Sequence, residues 1–286
     1  MSGSGIVVGA DGSEESLRAV DWAADEAHLQ GASLRIVSVA ELWQFEEPLE
    51  HLTDPAKAVV YTQLTNAEQA AKDAAEAAAE RAAERVPGLT IEPLWPSGSP
   101  AQELIASAAS SLMLVVGCRG AGGFAGLALG SKSRHLATHA QVPVVVVREE
   151  VMPSRAEIVV GVHTPRQARA ALTFGFREAQ LRGGSLRVVE AVTPGRMAAM
   201  ADVDGDVLRA TKEVLYAHLE RWRREYGVET TVDIVRAHPG SILAADSARA
   251  GLVVLGRHGG HSGALGAVIH AVLAHAHGPV AVVPGD

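Results

Sequence analysis

The chain has 286 residues, close to the combined length of two typical domains, so two compact cores are the starting expectation. Apolar residues make up 48% of it but aromatic residues only 4%, which favours α/β packing of small aliphatic side chains over an aromatic-rich sandwich. The formal net charge of -8 opposes a broad surface for nucleic-acid phosphates, because such binding needs many Lys and Arg side chains.

Cysteine content and hydropathy set two further expectations. Cys118 is the only cysteine, so the sequence offers neither an intrachain disulfide nor a cysteine-rich zinc site. The amino-terminal residues do not resemble a signal peptide, and no run of about 18 apolar residues occurs anywhere in the sequence. We therefore expect a cytoplasmic protein without a membrane partner.

From the amino terminus, short apolar runs alternate with longer segments of helical period, which predicts strands alternating with helices. Ser13 is placed to cap the first helix and Gly31 to end it. Residues Glu41 to Thr62 contain Pro55 and predict a loop or partial helix over the sheet edge. The segment Thr65 to Val86 is so rich in Ala, Glu and Arg that it predicts a helix.

The chain repeats itself. The run IVVGADGS from Ile6 matches IVVGVHTP from Ile158, and GASLRIVSV from Gly31 matches GGSLRVVEAV from Gly183, both at an offset of 152 positions. Later in each half, LMLVVGCRG aligns with LVVLGRHGG, and VPVVVV aligns with GPVAVV. We therefore predict two tandem open parallel five-stranded sheets with helices on both faces, in domains of residues 1–150 and 155–286. The segment 149–155 is the predicted linker.

A glycine-rich loop is the feature most typical of a binding site. Residues 117–131 read GCRGAGGFAGLALGS and lie between a buried strand and a segment that can continue as a helix. Glycines let backbone N–H groups approach an anion, and a helix N-terminus adds a favourable partial charge. Ligands of open parallel sheets collect at the carboxyl ends of strands, where Asp11, Gly117 and Gly120 all fall. The pattern predicts a phosphate site, with the hydroxyl of Ser131 near the start of the helix.

Other nucleotide motifs do not match. A Walker A loop needs a lysine directly after its last glycine, but Ser131 separates Gly130 from Lys132. The first turn, GADGSEES, has no G-x-G-x-x-G, and it also lacks the Ser-Gly-Gly turn of PP-loop enzymes. A P-loop NTPase, a Rossmann dehydrogenase and a PP-loop or electron-transfer flavoprotein relative are therefore disfavoured.

The chain instead resembles the universal stress protein family. The spacing Gly117, two residues, Gly120, nine residues, Gly130-Ser131 is similar to the ATP-binding signature of that family, as are Asp11 after the first strand and Pro143 before the last. The likeness covers nearly the whole chain as two copies. It implies the fold shared with the adenine nucleotide alpha hydrolases, a part in the stress response and binding of ATP, with or without Mg²⁺.

The resemblance also implies roles for individual residues. Asp11 would contact the nucleoside end of ATP, and Val39 and Ala40 would line the adenine pocket. Phosphate contacts would come from Gly120, Gly130 and Ser131. The residues predicted to bind nucleotide are, in full, Ala10, Asp11, Val39, Ala40, Gly117, Arg119, Gly120, Gly130, Ser131, Lys132 and Ser133.

Each predicted role has a structural alternative. Asp11 could simply cap the first helix or its turn, and the glycines could form only a flexible loop. Arg119 and Lys132 could neutralise phosphate charge or be solvated surface cations. Cys118 fits a buried, inert thiol better than a redox switch.

The second copy departs from the pattern. His163 stands opposite Asp11, the glycine loop is three residues shorter, and Ala267 replaces Ser131. We therefore expect weak or absent ATP binding in the second domain. That copy would pair with the first as an intrachain pseudo-dimer, in place of a homodimer partner, although a homodimer stays open. The apolar last strands could pair edge to edge within the chain or between chains.

Five histidines cluster late in the chain: His258, His261, His270, His275 and His277. The last three are spaced five and two apart and do not share a helix face, so we expect solvated side chains rather than a metal site.

The leading functional hypothesis is a regulatory protein in which ATP bound to the first domain changes the conformation of the chain or its affinity for a regulatory protein. No side chain stands out as a general base for attack on the terminal phosphate, so we expect no more than weak ATP hydrolysis and name no catalytic residue. The alternatives are a slow ATP-hydrolysing enzyme and an interaction protein that binds no nucleotide.

Overall fold

The structure, a computed structural model, describes residues 5–41, 53–120, 129–148, 156–163, 168–192, 205–257 and 265–285. The chain divides into two units, Met1–Val142 and Pro143–Asp286. Strands and helices alternate in both, and the strands are mostly parallel. The predicted α/β class and the repeated architecture are confirmed.

The first unit is built on four parallel strands. They are β1 (Ile6–Gly9), β2 (Leu34–Val37), β4 (Ile91–Leu94) and β6 (Met113–Gly117), in the order β4-β2-β1-β6. Two short strands, β3 (Ala40–Glu41) and β5 (Ser97–Gly98), form a separate parallel pair. From β1 the chain moves outward through β2 to β4 and then returns to β6 on the other side of β1. The strand order therefore reverses between β1 and β6, where ligands of open parallel sheets bind.

Four helices cover this sheet: α1 (Glu14–Gln30), α2 (Asp54–Arg85), α3 (Pro100–Ala108) and α4 (Ser131–His139). α1 packs on α2, and α3 packs on α4. As predicted, Ser13 is the N-cap of α1, where its hydroxyl accepts a hydrogen bond from the backbone N–H of Ser16 at 3.2 Å. Gly31 ends the helix in the left-handed region, at φ 61°.

The second long helix begins at Asp54, within the segment where the sequence predicted a loop or a partial helix, and residues 54–62 form the helical alternative. Pro55 occupies the first turn, where no intrahelical donor is lost. Ala71, Ala75, Ala78 and Ala82, all in the carboxyl-terminal half of α2, form its buried stripe. The rest of the predicted loop, residues 42–52, lies outside the described residues.

The second unit repeats this plan. Its parallel strands are β8 (Ile158–Val162), β9 (Leu186–Val192), β10 (Thr230–Arg236), β11 (Leu252–Arg257) and β12 (Val280–Pro284), in the order β10-β9-β8-β11-β12. Its helices are α5 (Arg169–Leu181), α6 (Gly205–Tyr226), α7 (Pro239–Asp246) and α8 (Ala267–His275). α5 packs on α6 and α7 on α8, the same pairing as in the first unit.

A sixth strand completes the second sheet. Strand β7 (Val144–Val147) is the last strand of the first sequence repeat, yet it lies in the second unit. It pairs antiparallel with β12, with Val146 opposite Val280 and Val144 opposite Val282. Of the two pairings that the sequence left open for the apolar last strands, the one within the chain is therefore formed. The predicted linker, residues 149–155, lies outside the described residues, and the boundaries 1–150 and 155–286 stay a prediction.

Candidate functional site

A cleft opens in the first unit where the strand order reverses. The non-atom space in and above it is about 560 Å³, a volume that includes open solvent. Its floor is formed by the carboxyl ends of β1 and β6, and its walls by the first turns of α1 and α4 and by β3. The cleft is lined by Gly9, Ala10, Asp11, Ser16, Val37, Val39, Glu41, Pro100, Leu104, Val116, Gly117, Arg119, Gly120, Lys132, Ser133 and Leu136.

The two carboxylate oxygens of Asp11 lie against different parts of the site. Its Oδ1 accepts hydrogen bonds from the backbone N–H and the hydroxyl of Ser13, at 3.1 and 2.6 Å. This is the turn-capping role that the sequence left open as an alternative. The other oxygen, Oδ2, lies so close to Gly120 that a Cβ there would collide with it. The hydrogen bonds from Ser13 thus hold a carboxylate against the glycine loop.

Glycine is required at Gly117 by close backbone approach. A Cβ on Gly117 would lie 2.7 Å from the carbonyl oxygen of Glu15, because the first turn of α1 packs directly on the end of β6. At the other end of the loop, the N–H of Gly130 donates to the carbonyl of Cys118 at 2.8 Å. Cys118 itself is buried, as expected. The two ends of the loop therefore lie close together, beside the carboxyl end of β6.

Helix α4 starts at this point. Gly130 is its N-cap residue, and Ser131 is its first residue. The buried hydroxyl of Ser133 donates to the carbonyl of Gly117 at 2.8 Å, which fixes the helix start to the end of β6. The first N–H groups of a helix have no intrahelical acceptor, so this end of α4 presents donors and a partial positive charge.

Among the described residues, two cations and one further carboxylate line the cleft, and the carboxylate of Glu15 lies beside it. Arg119 Nη2 donates to Glu15 Oε1 at 2.8 Å, and the ammonium of Lys132 forms an ion pair with Glu41. Arg119 Nε is buried and has no hydrogen-bond partner among the described residues. A buried donor without an acceptor is unfavourable by about 1–3 kcal/mol, and an anion in the cleft would remove that cost.

The structure brings together most of the predicted binding residues. Eight of the eleven line the cleft: Ala10, Asp11, Val39, Gly117, Arg119, Gly120, Lys132 and Ser133. Ala40 is buried beside it in β3, and Gly130 and Ser131 form the start of α4 without lining the cleft. Sequence reasoning did not select Glu41, Ser16 or Leu104 as cleft residues. Ser16 lies one helical turn after the N-cap, on the side facing the strands, which its periodicity could have indicated.

The equivalent helix start of the second unit, Gly266 to Ile269, is apolar. Helix α8 has the same length as α4 and the same type of N-cap residue, Gly266. Ile269 occupies the position of Ser133 and is buried, so no hydroxyl is available there to bond the strand end. His163, opposite Asp11, is exposed.

Comparison with known proteins identifies the family. A model described as "Universal stress protein family" matches residues 5–148 and again residues 155–284. The chain belongs to the universal stress protein family. A universal stress protein of Mycobacterium tuberculosis is 33% identical over 311 residues, which cover 99% of this chain and 96% of that relative.

Solved universal stress proteins share the fold. One from Archaeoglobus fulgidus has a TM-score of 0.71 at 21% identity and covers 98% of both chains. Two others match about half of this chain, at TM-scores of 0.36 and 0.35. The first, 31% identical, is described in complex with cAMP, and the second, 27% identical and from A. fulgidus, in complex with dAMP.

The described residues contain no candidate for a membrane-spanning helix or for a metal site. No helix among them is long and apolar enough to cross a bilayer. In the same ranges, no three His, Cys, Asp or Glu side chains are grouped to hold a metal ion. His270, His275 and His277 are exposed, and His258 and His261 lie outside the described residues.

Proposed function

We propose that this universal stress protein binds ATP in the cleft of its first unit and that the bound nucleotide regulates the chain or its affinity for a partner protein. The observation that carries the proposal is the buried Nε of Arg119, a donor without an acceptor beside a glycine-rich strand end. Such a donor favours an anionic ligand over an apolar one.

The residues present fit a nucleoside polyphosphate. Val39 and the buried Ala40 supply apolar surface for a base on one side of the cleft. Asp11 offers a carboxylate oxygen that can accept from ribose hydroxyls, while Arg119, Lys132 and the start of α4 offer positive charge for phosphates. The absence of a side chain at Gly120 lets the Asp11 carboxylate lie against the glycine loop. Mg²⁺ would enter with the phosphates and would offset part of their charge.

The same positions make the second unit a poor nucleotide site. Its helix start carries Ala267 and the buried Ile269, which offer no hydroxyl to a phosphate or to the strand end. We propose one nucleotide per chain, bound in the first unit. The second unit would then take the structural place that a homodimer partner has in single-domain relatives.

Calorimetry of the full-length protein with ATP, GTP and AMP tests this proposal. We expect saturable binding of ATP with one site per chain and weaker binding of GTP, because the proposal assigns the base pocket to adenine. Amide hydrogen exchange, measured separately, should change when ATP is added. Absence of heat with any adenine nucleotide would overturn the proposal. Native mass spectrometry of the same sample gives the bound nucleotide and the mass of any homodimer.

A further inference from the structure

The two cations that line the cleft among the described residues are each paired with a carboxylate, one beside the cleft and one in its lining. The guanidinium of Arg119 is held by Glu15 at 2.8 Å, with 35% and 20% of the two side chains exposed. The ammonium of Lys132 is paired with Glu41, and these side chains are 55% and 30% exposed. The groups proposed to bind phosphate therefore already have anionic partners within the protein.

The pairs connect separate elements of the fold. Glu15 lies in the first turn of α1 and reaches the loop after β6, whereas Glu41 ends β3 and reaches the first turn of α4. The cleft lining holds Asp11, Glu41, Arg119 and Lys132. Glu15 lies just outside it against Arg119, so these five side chains together carry a net negative charge. A polyphosphate entering this cleft meets a local charge that is unfavourable until the pairs open.

We propose that Glu15 and Glu41 are internal competitors of the ligand's phosphates and set the affinity of the cleft according to the number of phosphate groups. The inference rests on the proposed nucleotide function and adds two specificity-determining residues to it. Each phosphate that reaches Arg119 or Lys132 replaces a carboxylate already there. The net gain per contact is small, because one charge-assisted hydrogen bond is exchanged for another.

The number of phosphates decides how many pairs the ligand can replace. The single phosphate of AMP can engage one cation at a time, whereas the chain of phosphates in ATP can reach both. Removal of either carboxylate therefore favours ATP more than AMP. The competing carboxylates keep ATP binding moderate, so that the bound nucleotide can exchange.

The experiment is calorimetry of full-length Glu15→Gln and Glu41→Gln with ATP and with AMP, each at low and at physiological salt. We expect each variant to bind ATP about two- to fivefold more tightly than the original protein, with a smaller gain for AMP. The ratio of the two affinities should therefore rise. If either glutamate had only a structural role, its variant would bind ATP and AMP more weakly by the same factor, and the ratio of the two affinities would stay unchanged.

Glu14→Gln is the matched control, since Glu14 lies next to Glu15 in the same helical turn but is 81% exposed and pairs with Arg18. It removes the same charge outside the cleft. An unchanged or weakened ATP affinity in Glu15→Gln and Glu41→Gln, relative to Glu14→Gln, would overturn this inference while ATP binding by the original protein still upholds the proposed function. Failure of the original protein to bind any adenine nucleotide would overturn both.

Discussion

The two units share a scaffold but differ in the residues that face the cleft. Helices α4 and α8 both have nine residues and start at a glycine N-cap. Each ends at an alanine, Ala140 or Ala276, whose backbone N–H donates to a carbonyl of the last helical turn. Three positions that are Ser16, Lys132 and Ser133 in the first unit are Ala168, Val268 and Ile269 in the second. The fold thus depends on helix starts and strand packing, and the binding chemistry depends on a few side chains that can be replaced without changing the fold.

The units also differ in where they place their buried charge. In the first, Arg35 donates to Glu92 and to the backbone carbonyl of Ser107. In the second, the equivalent Arg187 reaches Asp246, a carboxylate with only 1% of its side chain exposed, at 2.9 Å. Burial works against the Arg187 cation, but the hydrogen bond and charge of Asp246, aided by Glu157, raise its pKa above the ordinary value. The second unit therefore holds this arginine with a buried carboxylate, whereas the first holds it with an exposed carboxylate and a backbone carbonyl.

The largest expected effect comes from neutralising Asp246, the buried carboxylate that pairs with Arg187. Asp246→Asn leaves Arg187 without its buried counter-charge and should lower the free energy of unfolding by about 2–4 kcal/mol, toward the lower end because Arg187 retains some solvent contact. Denaturant unfolding followed by circular dichroism measures it. The control is Ser107→Ala at the matching position of the first unit, where only a backbone carbonyl is used, and we expect a change of less than about 0.5 kcal/mol. Equal losses of unfolding free energy in the two variants would contradict this difference between the two units.

Next is the glycine beside Asp11. Gly120→Ala places a methyl group where Asp11 Oδ2 lies, and the two hydrogen bonds from Ser13 resist movement of that carboxylate. ATP affinity should fall by at least about tenfold, which is about 1.4 kcal/mol. Gly266→Ala is the matched control in the second unit, because a Cβ there meets nothing within 4 Å. A thermal-shift titration with ATP that is the same for both variants would argue against a site at Gly120.

A smaller effect is expected at the start of α4. Ser133→Ala removes the hydroxyl that fixes this helix to Gly117 and should cost about 1 kcal/mol of stability, together with a loss of ATP affinity that calorimetry can measure. Thr138→Ala, in the same helix, removes a bond from an exposed hydroxyl to the helix backbone and serves as control. Full ATP affinity in Ser133→Ala would mean that the position of the helix start is not critical.

The smallest effect concerns pH. The rings of His135 and His139 stack in α4 with centroids 4.1 Å apart, and slight burial together with the charge of His139 lowers the pKa of His135. The folded protein therefore binds a proton at this site less readily than the unfolded chain. The contribution of His135 to the free energy of unfolding is fully present above pH 6.5, the pKa of an unperturbed histidine. It is lost as the pH falls from 6.5 through the lowered pKa of the folded protein.

The second unit has Ala271 where the first has His135, so His135→Ala makes the two helices alike at this position. The unfolding free energy of that variant should decline less between pH 7 and pH 5 than that of the original protein. An identical pH profile would show that the pair does not perturb titration in solution.

Much of the site was predictable because its signals are local. Gly117, Gly120 and Asp11 follow strands, and parallel strands bring their carboxyl ends to one edge, so their meeting followed from the sequence. The pairing of Arg119 with Glu15 did not, because 104 positions separate the two residues and nothing in either segment specifies the partner. The choice between a loop and a partial helix at the start of α2 could not be made from the sequence, because proline disrupts the interior of a helix but is well suited to its first turn, where Pro55 lies.

The placement of β7 has a practical consequence for dividing the protein. A fragment that ends at residue 150 would carry Val144–Val147 without β12, its antiparallel neighbour in the second unit. The edge of these four valines that pairs with β12 would then be unpaired, and an unpaired apolar strand edge promotes self-association. The complementary fragment would expose the bare side of β12. Separately expressed halves should therefore be poorly soluble, and truncation would report on aggregation before it reported on ligand binding.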